Sequence, residues 1–391
     1  MVKEKFLPYS RQNINQEDID SVINVLKSDY LTQGPMIEKF EDKVCRKVKA
    51  NFATGFNSAT SALHISCIAL GLTEGDWLWT SPITFVASAN CGIYCKAKVD
   101  FIDINPKTGL MSIEKLKVKL KHAEKYGKLP KIIIPVHLAG SSCEMKTIYE
   151  LSEIYGFSII EDASHAIGGE YLNEKIGSCR FSHITVFSFH PVKIITTGEG
   201  GMAVCNNKEI QKKLKQLRSH GITRNKEDFQ IPNNDPWHYE MQELGYNYRI
   251  TDISCALGIS QLKRLDEIIK ERNKIYNCYK NLLQDLTVSL IEIPENVKSS
   301  VHLGIIRLNK NNKEKHRQIF NHFRKNNIGV QLHYSPVHLQ PYYRNRGFKI
   351  GDFPISEEYS GDAISLPLFP GIKSNEIDKV IQCLKSALIN Y

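Results

Sequence analysis

Between residues 51 and 205, short apolar runs alternate with longer amphipathic ones, and this rhythm constrains the chain more than any other feature. NFATGFN precedes SATSALHISCIALG, KVDFIDI precedes IEKLKVKLKHAEKYG, KIIIPVHLAG precedes EMKTIYELSEIYG, and FSIIEDA follows. Strands alternating with helices predict an α/β fold, a mostly parallel sheet covered on both faces and joined by right-handed crossovers. HITVFSF and GGMAVCN read as two further strands, and KEIQKKLKQLRSH as a helix leaving the sheet. Ligands bind such sheets beyond the carboxyl ends of the strands. That rule selects residues 57–61, 81–85, 135–140, 162–169 and 188–198, where polar residues interrupt apolar ones.

Beyond the sheet, residues 224–241 (RNKEDFQIPNNDPWHYEM) form a long Asn-, Asp- and Pro-rich connection that reads as a lid. One helical pattern runs from Ile253 to about Leu283. After it come an apolar strand, SVHLGIIRL, a helix near 313–326, a strand around GVQLHYSP and a last helix from Asn375. These predict a large domain over 14–255, a smaller α+β C-terminal domain over 256–391, and an N-terminal segment, 1–13, near the site. A chain of 391 residues buries a substantial core without staples. Its ten cysteines are scattered, with no CxxC pair, and read as reduced, mostly buried small residues. No stretch has the pattern of a leader or a bilayer span, so a cytoplasmic protein with no membrane partner is expected. The net charge of +9 raises nucleic acid as a ligand. The basic residues, however, lie in mixed-charge helices such as KRLDEIIKERNK, without a basic arm, which favours small anionic ligands. The thirteen histidines lack HExxH or comparable spacing, so no metal is expected.

The chemistry centres on FSFHPVKIITTGEGG, residues 187–201, where Lys193 sits among aromatic and β-branched residues. Burying an ammonium costs several kcal/mol unless its pKa falls or a partner is supplied. Lys193 is therefore either a snorkelling surface residue or a Schiff-base or phosphate-binding lysine. In NSATSAL, Asn57 or Ser58 can cap a helix whose first amides, at Ala59, Thr60 and Ser61, would be free to bind phosphate; an ordinary N-cap reads the same way. In EDASHAIGG, Asp162 ends a very apolar strand and needs a cationic partner or a shifted pKa; a structural strand-end cap is the alternative. Singly, each residue is ordinary. Together they match a pyridoxal phosphate site, which needs an amine, an acid for the ring nitrogen, phosphate donors and a flat apolar wall. Lys193, Asp162, the Ala59 to Ser61 amides with Ser188, and Phe85 supply these parts.

The order NSATSAL, SPITFVASAN, EDASHAIGG, FSFHPVKIITTGEGG, RSHG and GYNYRITDISCALGISQL resembles the DegT-type sugar aminotransferases, pyridoxal phosphate enzymes of fold type I. YLTQGP, NSAT, SHAIG and FHPVKIITT look most like one branch, the UDP-4-keto-sugar 4-aminotransferases of the pseudaminic acid pathway. The resemblance implies that Lys193 forms the Schiff base and then moves protons, that Asp162 holds the pyridinium, and that His165 meets the ring hydroxyl. It implies further that Phe85 stacks on the ring, that Ala59, Thr60 and Ser188 hold the phosphate, and that Asn247 reaches it from the other subunit of a homodimer. For the sugar nucleotide it points to Tyr9, to Asp29, Tyr30, Leu31 and Thr32, and to Gln331, His333 and Tyr334. The implied reaction moves an amino group, from glutamate, to C4 of a UDP-linked 4-keto-6-deoxy-N-acetylhexosamine. Another nucleotide-linked keto-sugar, of bacillosamine or dTDP type, is the alternative within the class. A non-catalytic cofactor-binding regulator or DNA binder is the alternative outside it, and the intact Lys193 and the lack of a helix-turn-helix pattern weigh against that.

Overall fold

Seven strands form one sheet in the order Phe52–Phe56, Gly201–Cys205, Ile184–Ser188, Ser158–Asp162, Ile132–Ile134, Trp77–Thr80 and Lys98–Phe101. The computed structural model that shows this describes residues 6–308 and 313–391, so residues 1–5 of the expected N-terminal segment lie outside the described residues. Ladders from Ile184–Ser188 through Lys98–Phe101 are parallel, whereas Gly201–Cys205 runs antiparallel to both of its neighbours. The mostly parallel sheet expected from the alternation is therefore present. Trp77–Thr80 is the strand the periodicity does not announce, since four residues carry too little pattern. Its end nevertheless delivers the 81–85 stretch that the strand-end rule selects.

The strands are apolar because both faces are covered. Ile132 and Ile134 pack into one cluster with Leu63, Ile65 and Leu214, while Ile133 joins Leu116, Leu120 and Ile148 on the opposite side. Each such side chain, fully buried, contributes about 1.5–3 kcal/mol. Near the other end of the sheet, Phe187, Met202 and Val204 pack on Phe40 and Val44 of the helix Pro35–Val48 and on Cys255 and Ile259 of the helix Asp252–Lys263.

The expected helix from Ile253 to Leu283 is two helices, Asp252–Lys263 and Leu265–Leu282, which meet at Arg264. The Arg264 guanidinium reaches back to Asp18 and Asn13 at that point. The first of these helices straddles the 255/256 boundary expected from the sequence and packs on the helices Gln16–Leu26 and Pro35–Val48. A second, antiparallel sheet combines Val288–Leu290, Gly304–Leu308 and Ala363–Leu366. The strand expected around GVQLHYSP is reduced to one bridge between Gln331 and Ser365, because residues 331–335 turn to line a cavity. Residues 224–241 carry little regular structure, one short pairing of Ile222–Thr223 with Glu240–Met241 and a 3-10 turn, and none of them lines that cavity. Among the described residues no helix is long and apolar enough to cross a membrane.

Candidate active site

Beyond the carboxyl ends of the parallel strands lies a cavity of about 930 Å³. It brings together Tyr9, Ala59, Thr60, Phe85, Asp162, His165, Ser188, Lys193, Gln331, His333 and Tyr334, residues that span almost the whole chain.

Lys193 stands on the loop that joins Ile184–Ser188 to the antiparallel Gly201–Cys205. The neck of this loop is closed by the Ser188–Gly201 pair and by Phe189 N–H donating to Gly200 O at 2.9 Å. Inside it, Thr197 N–H and the Thr196 hydroxyl both donate to Phe189 O. Gly198 takes φ +81°, a left-handed conformation that glycine adopts without strain. Burial lowers the Lys193 pKa from 10.5 to about 8, with the Asp162 charge opposing the fall. The lysine is thus a usable nucleophile and base near neutral pH.

Asp162, the last residue of its strand, is buried and accepts hydrogen bonds on both oxygens. The Ser88 hydroxyl donates to Oδ2 at 2.6 Å, and Ser164 donates to Oδ1 through its hydroxyl at 2.6 Å and its N–H at 3.1 Å. Nearby, Ala139 N–H donates to His165 Nδ1 at 3.3 Å. Burial, and then the charges of Lys193 and His333, hold the His165 pKa well below its ordinary value, so its one proton is on Nε2, 3.1 Å from Tyr334 Oη. His302, its ring centroid 4.4 Å from that of His165, is kept neutral in the same way, and its buried Nδ1 has no partner among the described residues. Burial pushes His333 down to about 3, and its Nδ1 sits 2.7 Å from Ser365 Oγ. One wall of the cavity is therefore rich in neutral hydrogen-bonding rings.

The opposite requirement, an anion site, is met by the helix Ala59–Ala69. Ser58 caps it by accepting from Ser61 N–H, while the amides of Ala59 and Thr60 have no acceptor within the helix and line the cavity. Ala59 is the first helical residue and needs no left-handed freedom. A Cβ on Gly201 would lie 2.4 Å from Ala59 N, so glycine lets the neighbouring strand approach this helix end closely. Phe85 is 59% exposed and borders the cavity, an aromatic surface offered rather than buried.

Pyridoxal phosphate fits this donor set. The free amides suit its phosphate, Phe85 its flat ring, Asp162 a ring N–H, and Lys193 its aldehyde. The segment Asp29, Tyr30, Leu31 and Thr32 does not line the cavity; it is exposed and tied to the start of the helix Asp252–Lys263 through the Thr32–Thr251 bridge and Asp252 N–H to Leu31 O. Asn247 is also exposed and outside this chain's cavity, paired through its backbone with Ser219. Sequence reasoning passed over Ser88, Ser164 and His302. For Ser164 a signal existed, since a strand-end Asp followed two residues later by Ser is an Asx-turn pattern. Ser88 and His302 meet the others only through tertiary packing.

The model of the DegT/DnrJ/EryC1/StrS aminotransferase family matches residues 12–385. A UDP-4-amino-4,6-dideoxy-N-acetyl-beta-L-altrosamine transaminase of Campylobacter jejuni is 42% identical over 340 residues, 86% of each chain. Among solved structures, the Helicobacter pylori PseC aminotransferase, involved in the biosynthesis of pseudoaminic acid, superposes with a TM-score of 0.89 at 29% identity, covering 99% of this chain and 100% of that one. A sugar aminotransferase of Streptococcus pneumoniae in its PLP form gives a TM-score of 0.88 at 26% identity, covering 98% and 99%.

Proposed function

The chain belongs to the DegT/DnrJ/EryC1/StrS aminotransferase family, and on that premise we propose that it transfers the amino group of L-glutamate to C4 of a UDP-linked 4-keto-6-deoxy-N-acetylhexosamine, in the cytoplasm, on the pseudaminic acid route. It is a pyridoxal phosphate-dependent nucleotide-sugar aminotransferase of fold type I. The sugar assignment is supported by the 42% identity to a transaminase of that specificity. The observation that carries the chemistry is a clamped carboxylate at the end of one strand and a desolvated lysine on the loop after the neighbouring strand, both facing one cavity.

When bound, pyridoxal phosphate supplies an aldehyde that captures amines and a ring that draws off electron density. Lys193 Nζ would present the amine to that aldehyde and would carry the proton that each half of the reaction moves. Asp162 would hold a proton at the ring nitrogen, and His165 would meet the ring hydroxyl through the Nε2–H that lies 3.1 Å from Tyr334 Oη. The amides of Ala59 and Thr60, with the Ser188 hydroxyl, bind the phosphate. Tyr9, Gln331, His333 and Tyr334 offer uncharged donors and acceptors suited to sugar hydroxyls and an acetamido group.

The test is a panel of enzymatically made nucleotide-linked keto-sugars incubated with glutamate, the configuration at C4 of the product being read by NMR. Amination of a dTDP sugar or a bacillosamine-type sugar in preference to the UDP-4-keto-L-sugar would overturn the assignment.

In this reading, Asn247 and the exposed 29–32 segment serve the site of the second subunit of a homodimer, which is why they stand outside their own chain's cavity. Mixing Lys193→Ala with Asn247→Ala subunits under exchange conditions then creates one intact site per mixed dimer. Activity at limiting cofactor is expected to recover to about a quarter of wild type, because half of randomly paired dimers are mixed. No recovery despite proven exchange would remove the shared site.

A further inference from the structure

Asp162 is the residue on which the electronics of the reaction depend, and the bonds around it can be counted. An ionised carboxylate offers about four lone-pair directions. Ser164 occupies both directions of Oδ1, with its hydroxyl at 2.6 Å and its N–H at 3.1 Å. Ser88 occupies one direction of Oδ2 at 2.6 Å. The Ser88 hydroxyl has a single proton, committed to the carboxylate, so at its 2.7 Å contact with Thr84 Oγ1 it accepts. The result is a directed chain from Thr84 to Ser88 to Asp162, in which each bond polarises the next. Thr84, Ser88 and Asp162 are buried, and Ser164 is half-buried.

We propose that Ser88 and Ser164 are positioning residues for the transamination, holding the Asp162 carboxyl group in one orientation and leaving one lone pair, on Oδ2, to receive the N–H of a protonated pyridine ring. This rests on the pyridoxal phosphate reading given above. The two short hydroxyl donors and the Ser164 N–H fix the plane of the carboxylate and fill three of its lone-pair directions, so the remaining Oδ2 direction is the one held for a ring N–H. Removing either hydroxyl frees the carboxylate to turn away from that direction and weakens its hold on the ring N–H. The ring then loses the positive charge that makes it an electron sink.

The experiment loads the protein with pyridoxal phosphate carrying ¹⁵N in the ring and reads the nitrogen chemical shift at neutral pH. Wild type is expected at the protonated-pyridine position. Ser88→Ala and Ser164→Ala should each move toward the neutral position and lose about tenfold or more in kcat, with KM for the sugar unchanged. Ser164→Thr, which returns a hydroxyl at a half-buried position, should restore both readings. If both alanine variants keep the wild-type shift, the hydroxyls only fill space and the proposal is overturned, whatever their activity. A neutral ring in wild type overturns the pairing with Asp162, and failure of wild type to bind the cofactor removes the underlying function instead.

Discussion

Lys193→Ala loses turnover by at least about 10³-fold and loses the absorbance of the lysine-bound cofactor, because the described cavity contains no second lysine to take its place. The same residue sets a pH profile for cofactor capture by the wild-type apoprotein. Only the deprotonated amine attacks an aldehyde, and burial lowers the Lys193 pKa from 10.5 to about 8. At pH 7 about a tenth of such amines are neutral, against about one in 3,000 for an unperturbed lysine. Capture should therefore accelerate with pH up to about 8 and then level off. Stopped-flow absorbance checks the profile, and borohydride trapping followed by peptide mapping checks the residue. A Lys193→Ala protein that is still trapped by borohydride and still transaminates would sink the assignment.

Asp162→Asn is the second large effect, a fall in kcat of about 10²-fold or more. The amide is nearly isosteric and keeps a carbonyl oxygen for the two donors of Ser164, while the Ser88 hydroxyl can turn to accept from the new NH₂. The fold is thereby retained at a cost of about 1–3 kcal/mol. The rate suffers more, because an amide cannot balance the charge of a protonated ring nitrogen. Thermal melts and steady-state kinetics on the same preparation separate the two effects. If the loss of folded protein accounted for the whole loss of rate, Asp162 would be a structural strand-end residue and nothing more.

Much of this site is legible in the sequence. Lys193, Asp162, Phe85 and the Ala59–Thr60 pair stand at strand ends, and the alternation of apolar and amphipathic runs says where strands end. The Trp77–Thr80 strand and the break at Arg264 were not readable. The first is shorter than a period can reveal, and the second depends on Asp18 and Asn13, some 250 residues away in sequence. The false strand at GVQLHYSP shows the limit of propensity. Val330 is buried as a strand residue would be, but the next five residues face the cavity rather than a ladder. His302, likewise, owes its place beside His165 to the packing of Ser300 and His302 against Ala139 and Gly140, a contact without a local signature.

The closed neck of the 189–200 loop has a kinetic meaning. Because Gly201–Cys205 returns antiparallel beside Ile184–Ser188, the amine of Lys193 is tethered at both ends of a short hairpin rather than carried on an open connection. A tethered reagent acts at an effective molarity far above any concentration a free amine reaches in solution, about 10⁵ M or more in well-oriented cases. A single reversed strand in an otherwise parallel ladder thus converts folding free energy into local concentration. Millimolar methylamine supplied to a lysine-less variant would fall short of that tether by many orders of magnitude.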